Sequence, residues 1–265
     1  MELCGYLMKY KWGKPRSTSA VAEVLHPEMK SEIDKRGAES PDDDHYAELW
    51  YGTHPNGPTR VRPLSAAVSN SKDTKENEWK ALADVLNPEN EVPFLLKVLS
   101  IANSLSIQAH PNKEAAQRLH KKFPEIYKDP NHKPEISIAL SEKFELLFGF
   151  KKMAEIKKEF DDLPFLSKYF PLKEGENAVK TLFETIFLMS GHPECINELL
   201  SFPKDKLTPT TLEIVNLIER LHKQFPNDIG VLCPLFLNFV TLSRGHAVFI
   251  VNIFYYYFIR FIRLI

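Results

Sequence analysis

Ser104, Ser106, Gln108 and His110 alternate with Leu105, Ile107 and Ala109 in one unbroken run. In an extended strand, side chains two residues apart share a face, so the pattern predicts one polar and one apolar face. The polar face carries no charge and follows the apolar stretch 93–101, which suits a cleft lining better than a solvent face. From such a strand Gln108 and His110 can both reach one metal ion. A second alternating run sets Glu135 and Ser137 on one face and Ile136, Ile138 and Leu140 on the other. Pro134 suits the start of that strand, where its missing N–H costs little. An inward-facing carboxylate stays ionised only beside a cation or hydrogen-bond donors, and a metal held by His110 would supply the cation. Spacing leaves other readings open. Gln-x-His pairs are often surface features, and His132 could be the ligand, with Glu135 paired to Lys133. Nothing here has the specificity of H-E-x-x-H.

The elements that must position these residues fall into zones. Residues 1–150 mix short alternating runs with loops rich in Pro, Asn and Gly, the texture of a β-rich domain. Two helices interrupt it: Asp73–Leu86, and one capped by Asn112 that runs to Phe123 before Pro124. Residues 151–226 read as helical, over Met153–Phe160, Glu176–Met189, Glu194–Leu200 and Thr210–Phe225, with prolines between. In the last, Ile214, Leu217, Ile218 and Leu221 recur at helical spacing. From 227 the β texture returns, with strands predicted over Leu235–Leu242 and Ala247–Val251 around the turn Ser243–His246. The expected fold is mainly β with an α-helical insertion.

Composition narrows the function classes. A chain of 265 residues with 43% hydrophobic and 26% charged residues has the composition of a soluble globular protein. Its net charge of −1 gives no bulk electrostatic case for nucleic acid, so phosphate recognition must rest on a few placed cations. Cys4, Cys195 and Cys233 lie far apart with no C-x-x-C pair, which argues against a thiolate zinc site and a disulfide framework. That usage, with no basic n-region ahead of an apolar run, leads us to expect a cytoplasmic protein. Ala247–Ile265 approaches the length of a membrane span, but Asn252, Arg260 and Arg263 interrupt it, so no membrane role is expected.

Further blocks carry a family resemblance. Tyr127-x-Asp129-x-Asn131-His132-Lys133-Pro134-Glu135 resembles the signature of the type I mannose-6-phosphate isomerases. Gln108–Pro111, Tyr46–Pro55, Tyr10–Lys14 and Phe144–Phe150 resemble other family blocks and stand in family order. The resemblance implies a cupin-type β-barrel over 1–150, a helical insert over 151–226 and returning strands over 227–250. It also implies one zinc ion held by Gln, two His and Glu, of which Gln108, His110 and Glu135 are three; His132 is not a family ligand. The implied reaction interconverts mannose 6-phosphate and fructose 6-phosphate through an enediol(ate), a step that feeds GDP-mannose synthesis. Such chemistry needs a proton-transferring group and stabilisation of negative charge on O1 or O2. Lys97 and Lys133 match catalytic positions, Ser106 a substrate-binding one, and Trp12 and Glu48 are candidates for the cleft wall. Trp12 and Trp50 also have an ordinary reading as core aromatics, and His54 one as a turn residue.

The chain departs from the family after Ile250. The segment expected to supply the fourth ligand is replaced by the apolar stretch 251–265, and no histidine follows His246. The second barrel is therefore expected to be largely missing, and the function splits between an active isomerase and an inactive, truncated form. A non-catalytic cupin-like sugar-phosphate-binding protein is the alternative. A monomer is expected.

Overall fold

Glu48 and Lys97 lie on neighbouring strands of a small antiparallel sheet near the N-terminus. The computed structural model describes residues 1–36, 44–64, 78–86, 92–108, 111–172, 175, 178–188, 194–250 and 263–264. The chain divides into two units, Met1–Asn103 and Ser104–Ile265, each described by itself. In the first, β1 (Glu2–Cys4), β2 (Tyr6–Met8), β3 (Lys14–Pro15), β4 (His45–Tyr46), β5 (Glu48–Tyr51), β6 (Arg60–Arg62), β7 (Lys80–Ala81) and β8 (Leu96–Leu99) form three antiparallel sheets. Their orders are β1-β6-β7, β2-β5-β8 and β3-β4. Gly13 lets the chain close on Ala47: a Cβ there would sit 2.7 Å from the Ala47 Cα.

Two helices in this unit, Ala20–Val24 and Pro27–Arg36, are absent from the sequence prediction. Ser19 caps the first, accepting from the Val21 and Ala22 N–H groups and donating to the Tyr46 carbonyl at 2.8 Å. Val21, Leu25 and Met29 then pack with Cys4, Tyr46 and Leu49. The helix expected over Asp73–Leu86 is not formed as read. Its first part lies outside the described residues, Lys80–Ala81 is strand, and only Leu82–Val85 is helical. The pairing of Lys80 with Val61 and of Ala81 with Arg60 overrides local helix preference.

The second unit holds β9 (Glu135–Ile138), β10 (Phe144–Phe150), β11 (Leu237–Leu242), β12 (Ala247–Ile250) and β13 (Arg263–Leu264). They pair as β11-β10-β13 and β12-β9. The helix Lys113–Lys122 is capped by Asn112, whose side chain accepts from the Ala115 N–H at 2.8 Å. Helices over Met153–Asp162, Ala178–Leu188, Glu194–Ser201 and Pro209–Gln224 follow the spacing read from the sequence. Leu166–Tyr169 adds a single turn. Their apolar faces bury Ile156, Phe160, Ile186, Leu199, Ile214 and Ile218 with Leu147 of β10 and Leu235. β11 begins at Leu237 rather than Leu235, because Ile229–Leu235 winds as a 3₁₀ segment containing Pro234. β10 bulges at Gly149, whose φ of +57° is a glycine conformation, and Asn238 donates to the Phe150 carbonyl there at 2.9 Å.

With 43% of described residues helical and 22% in strands, the fold is mixed α/β, not mainly β. The helical insert and the two short N-terminal helices account for the difference. Part of the expected strand Ser104–His110 is also corrected. Ser104–Gln108 forms no strand, and residues 109–110 lie outside the described residues. The Ser104 N–H donates to Gln224 Oε1 at 2.8 Å instead of joining a ladder. Ser104 is buried while Ser106 and Gln108 are exposed, so the three hydroxyl and amide groups do not share one environment.

Candidate active site

Glu48 and Trp50 occupy alternate positions of β5 and therefore one face. Opposite them on β8 stand Leu99 and Lys97, with Lys97 directly across from Trp50. The Trp50 indole N–H donates to Glu48 Oε2, and the Lys97 ammonium donates to the same oxygen at 3.2 Å. The Lys97 Nζ also lies 4.3 Å from the centre of the Trp50 ring. Glu48 is thus a buried carboxylate stabilised by two donors, and Lys97, a third exposed, is held by a charge and a π face. Tyr10 stacks on Trp12 at 5.5 Å between ring centres. Burial raises the Tyr10 phenol above its ordinary pKa, and the nearby Glu48 charge raises it further.

The reading of Trp50 as a core aromatic agrees with its burial, but that reading misses its part in holding Glu48 and Lys97. The Glu48-x-Trp50 spacing on a strand is the signal for it. Trp12 is half-buried, and its carbonyl accepts from the Ala102 and Asn103 N–H groups. His54 meets Trp50 edge-on at 5.1 Å, in keeping with a structural role.

In the second unit, Gln108 and Ser106 meet: the Gln108 amide nitrogen donates to Ser106 Oγ at 3.4 Å. The amide oxygen of Gln108 takes no part in that bond. Glu135 opens β9 half-buried, on the face where Ser137 is buried, as its alternation predicts. Ile136, Ile138 and Leu140 point the other way and are exposed, with Ile136 at 64%. Lys133 and His132 are exposed just ahead of the strand, and His246, in its turn, is exposed too. His110 lies outside the described residues. Among the described residues no three His, Cys, Asp or Glu side chains cluster as metal ligands. An amide oxygen, an imidazole and a half-buried carboxylate are a donor set that fits zinc, although Gln is an uncommon ligand.

The family profile described as the phosphomannose isomerase type I catalytic domain matches residues 1–153, and that of its helical insertion domain matches 153–237. The chain belongs to the type I phosphomannose isomerase family. It is 36% identical over 261 residues to mannose-6-phosphate isomerase 1 of Arabidopsis thaliana, covering 91% of this chain and 59% of that protein. Against the Homo sapiens mannose-6-phosphate isomerase it is 34% identical, covering 92% of this chain and 61% of the relative. The chain thus spans about three-fifths of the length of these relatives. The crystal structure of the Salmonella typhimurium mannose 6-phosphate isomerase bound to substrate and zinc superposes with a TM-score of 0.69 at 26% identity. That match covers 94% of this chain and 63% of the other. A zinc-bound mannose 6-phosphate isomerase gives a TM-score of 0.70, at 26% identity and the same coverage. Among the described residues no helix is long and apolar enough to cross a membrane.

Proposed function

We propose that this chain carries the catalytic portion of a zinc-dependent aldose–ketose isomerase that interconverts mannose 6-phosphate and fructose 6-phosphate, feeding GDP-mannose synthesis. The observation that carries this reading is that every candidate site residue, from Trp12 to Glu135, falls inside the 1–153 match to the family's catalytic domain. In this reading 1–150 is a cupin-type metal-binding domain, 151–226 a helical insert and 227–250 strands that return to the barrel. The protein acts in the cytoplasm as a monomer.

Gln108, His110 and Glu135 are the residues that would hold zinc. Bound there, zinc would act as a Lewis acid toward the oxygens on which negative charge develops. The protein's own groups divide the remaining work. Lys97, fixed by Glu48 and Trp50, offers an ammonium donor to an enediolate oxygen at little ordering cost, because its position is already set. Glu48 accepts from Lys97 and Trp50 and so holds the Lys97 side chain in place. Lys133, adjacent in sequence to the signature's Pro134–Glu135, is the proposed proton-transferring or enediolate-contacting cation. The Ser106 hydroxyl binds substrate and orients the Gln108 amide. Trp12 lines the sugar cleft.

A coupled assay for mannose 6-phosphate formed from fructose 6-phosphate, run with and without added zinc, tests the reading. Zinc-stimulated turnover that is lost in Lys97→Met supports it. Stabilisation of the fold by fructose 6-phosphate without turnover in any zinc concentration would favour the non-catalytic binding protein.

A further inference from the structure

Ser106 and Gln108 stand on a stretch of chain that no partner strand holds. Among the described residues, 105–108 make no backbone–backbone hydrogen bond. Two anchors take the place of a ladder. The Ser104 N–H donates to Gln224 Oε1 at 2.8 Å, across 120 positions of sequence. Three residues on, Ile107 is half-buried and packs on the core of the helical insert. A Cβ built on Gly230, in the 3₁₀ segment Ile229–Leu235, would stand 3.7 Å from Ile107 Cδ1. The two anchors bracket Ser106, which stays exposed with Gln108.

Gln224 is a firm base for such an anchor. It is the last residue of the helix Pro209–Gln224, whose Ile214, Leu217, Ile218 and Leu221 are all buried. The helix closes just beyond it, where the Phe225 N–H donates to the Leu221 carbonyl at 2.8 Å. Ser104 is 3% exposed. A backbone N–H at that depth is costly to leave without an acceptor, and the Gln224 amide oxygen supplies one. The Ser104 hydroxyl adds no tether, since it has no partner among the described residues.

We propose that Gln224 is a positioning residue of the isomerase site: through its bond to Ser104, the last turn of this helix fixes the stretch that presents Ser106 and Gln108. The inference deepens, and rests on, the reading of Gln108 as a zinc ligand. Gln224 touches neither metal nor substrate in this account. Its effect is entropic, because a stretch ordered beforehand loses less freedom when Gln108 takes up a ligand. The helical insert thereby contributes to the metal site as well as to the core.

Residue-resolved hydrogen exchange of the full chain without zinc tests the tether, and competition for zinc with a chromophoric chelator tests its consequence. Gln224→Leu removes the acceptor, whereas Gln224→Glu keeps one. In Gln224→Leu the Ser104 amide should exchange at least about tenfold faster, with the amides of the helix Met153–Asp162 unchanged. Gln224→Glu should restore its protection. Zinc affinity should fall about tenfold in Gln224→Leu, the lower end of the loss for an outer-shell partner. Unchanged exchange at Ser104 would overturn the proposal. So would faster exchange with zinc affinity equal to that of the unaltered chain. Faster exchange throughout the helix Met153–Asp162 would also overturn it, by giving Gln224 a merely structural role. An unaltered chain that binds no zinc would instead contradict the zinc reading, and the exchange comparison would still decide the tether.

Discussion

Lys97 faces Trp50 across the β8–β5 pair, with its ammonium 4.3 Å from the indole centre and 3.2 Å from the Glu48 carboxylate that the same indole holds. Three residues from two strands thus form one unit, in which Trp50 is both support and donor. Trp50→Phe keeps a ring but loses the N–H to a buried carboxylate, a loss of about 1.5–3 kcal/mol. Trp50→Ala also leaves a cavity and should cost about 3–5 kcal/mol. Urea unfolding of both variants checks the order. A Trp50→Phe variant as stable as the unaltered chain would show that the indole N–H contributes nothing.

Lys97→Met removes the cation that this arrangement holds in place. It should lower isomerase turnover by about a hundredfold or more, the usual scale for losing a preorganised electrostatic donor. The fall should appear in kcat rather than KM, since the ammonium is assigned to charge that develops during reaction. Steady-state kinetics with fructose 6-phosphate give the split. An unchanged kcat with a raised KM would reassign Lys97 to ground-state binding.

The buried pair Lys151–Glu159 gives a pH dependence. Burial pushes the Glu159 carboxyl up to about 7 from an ordinary 4.5, against the pull of Lys151. A carboxyl raised on folding holds more protons in the folded chain than in the unfolded one between those values. Its contribution to stability is therefore complete below about 4.5 and is lost as pH rises through about 7. Urea midpoints at about pH 5 and about pH 8 should show a larger fall for the unaltered chain than for the double variant Lys151→Met/Glu159→Leu. Lys151→Met alone should be the least stable at about pH 8, by about 3–5 kcal/mol, because it strands a buried charge.

The β9–β12 pair presents Ile136, Ile138, Leu140 and Phe249 to solvent, with Phe249 62% exposed opposite Ile136. An exposed apolar sheet face promotes self-association. Ile136→Thr/Phe249→Thr should raise the concentration at which light scattering appears while changing stability by no more than about 1 kcal/mol. Scattering that does not change would show that this face does not drive association.

Much of the second unit is legible in the sequence. The Asn112 cap, the proline-separated helices and the Ile214–Leu221 stripe each state their own structure locally. The alternation Glu135–Ile138 predicts a strand with Ser137 inward, which is what forms. Ser104–Gln108 carries the same alternation but no strand, because alternation selects a face only where a partner strand exists. Lys80–Ala81 misleads in the opposite sense, since its strand depends on Arg60 and Val61, which are distant in sequence. Within the site, family blocks name Glu48 and Lys97, but their pairing through Trp50 depends on the β5–β8 register, which no local pattern encodes. The proposed ligand set comes from resemblance, because glutamine is an uncommon zinc ligand that spacing alone would not select.

The central claim is that Glu135, with Gln108 and His110, holds zinc. Competition with a chromophoric chelator measures the affinity of the chain for zinc without requiring turnover. Saturable binding of one zinc per chain is predicted, at least about tenfold weaker in Glu135→Ala, since losing a charged ligand costs no less than losing an outer-shell partner. Equal affinity in Glu135→Ala and the unaltered chain would contradict the account.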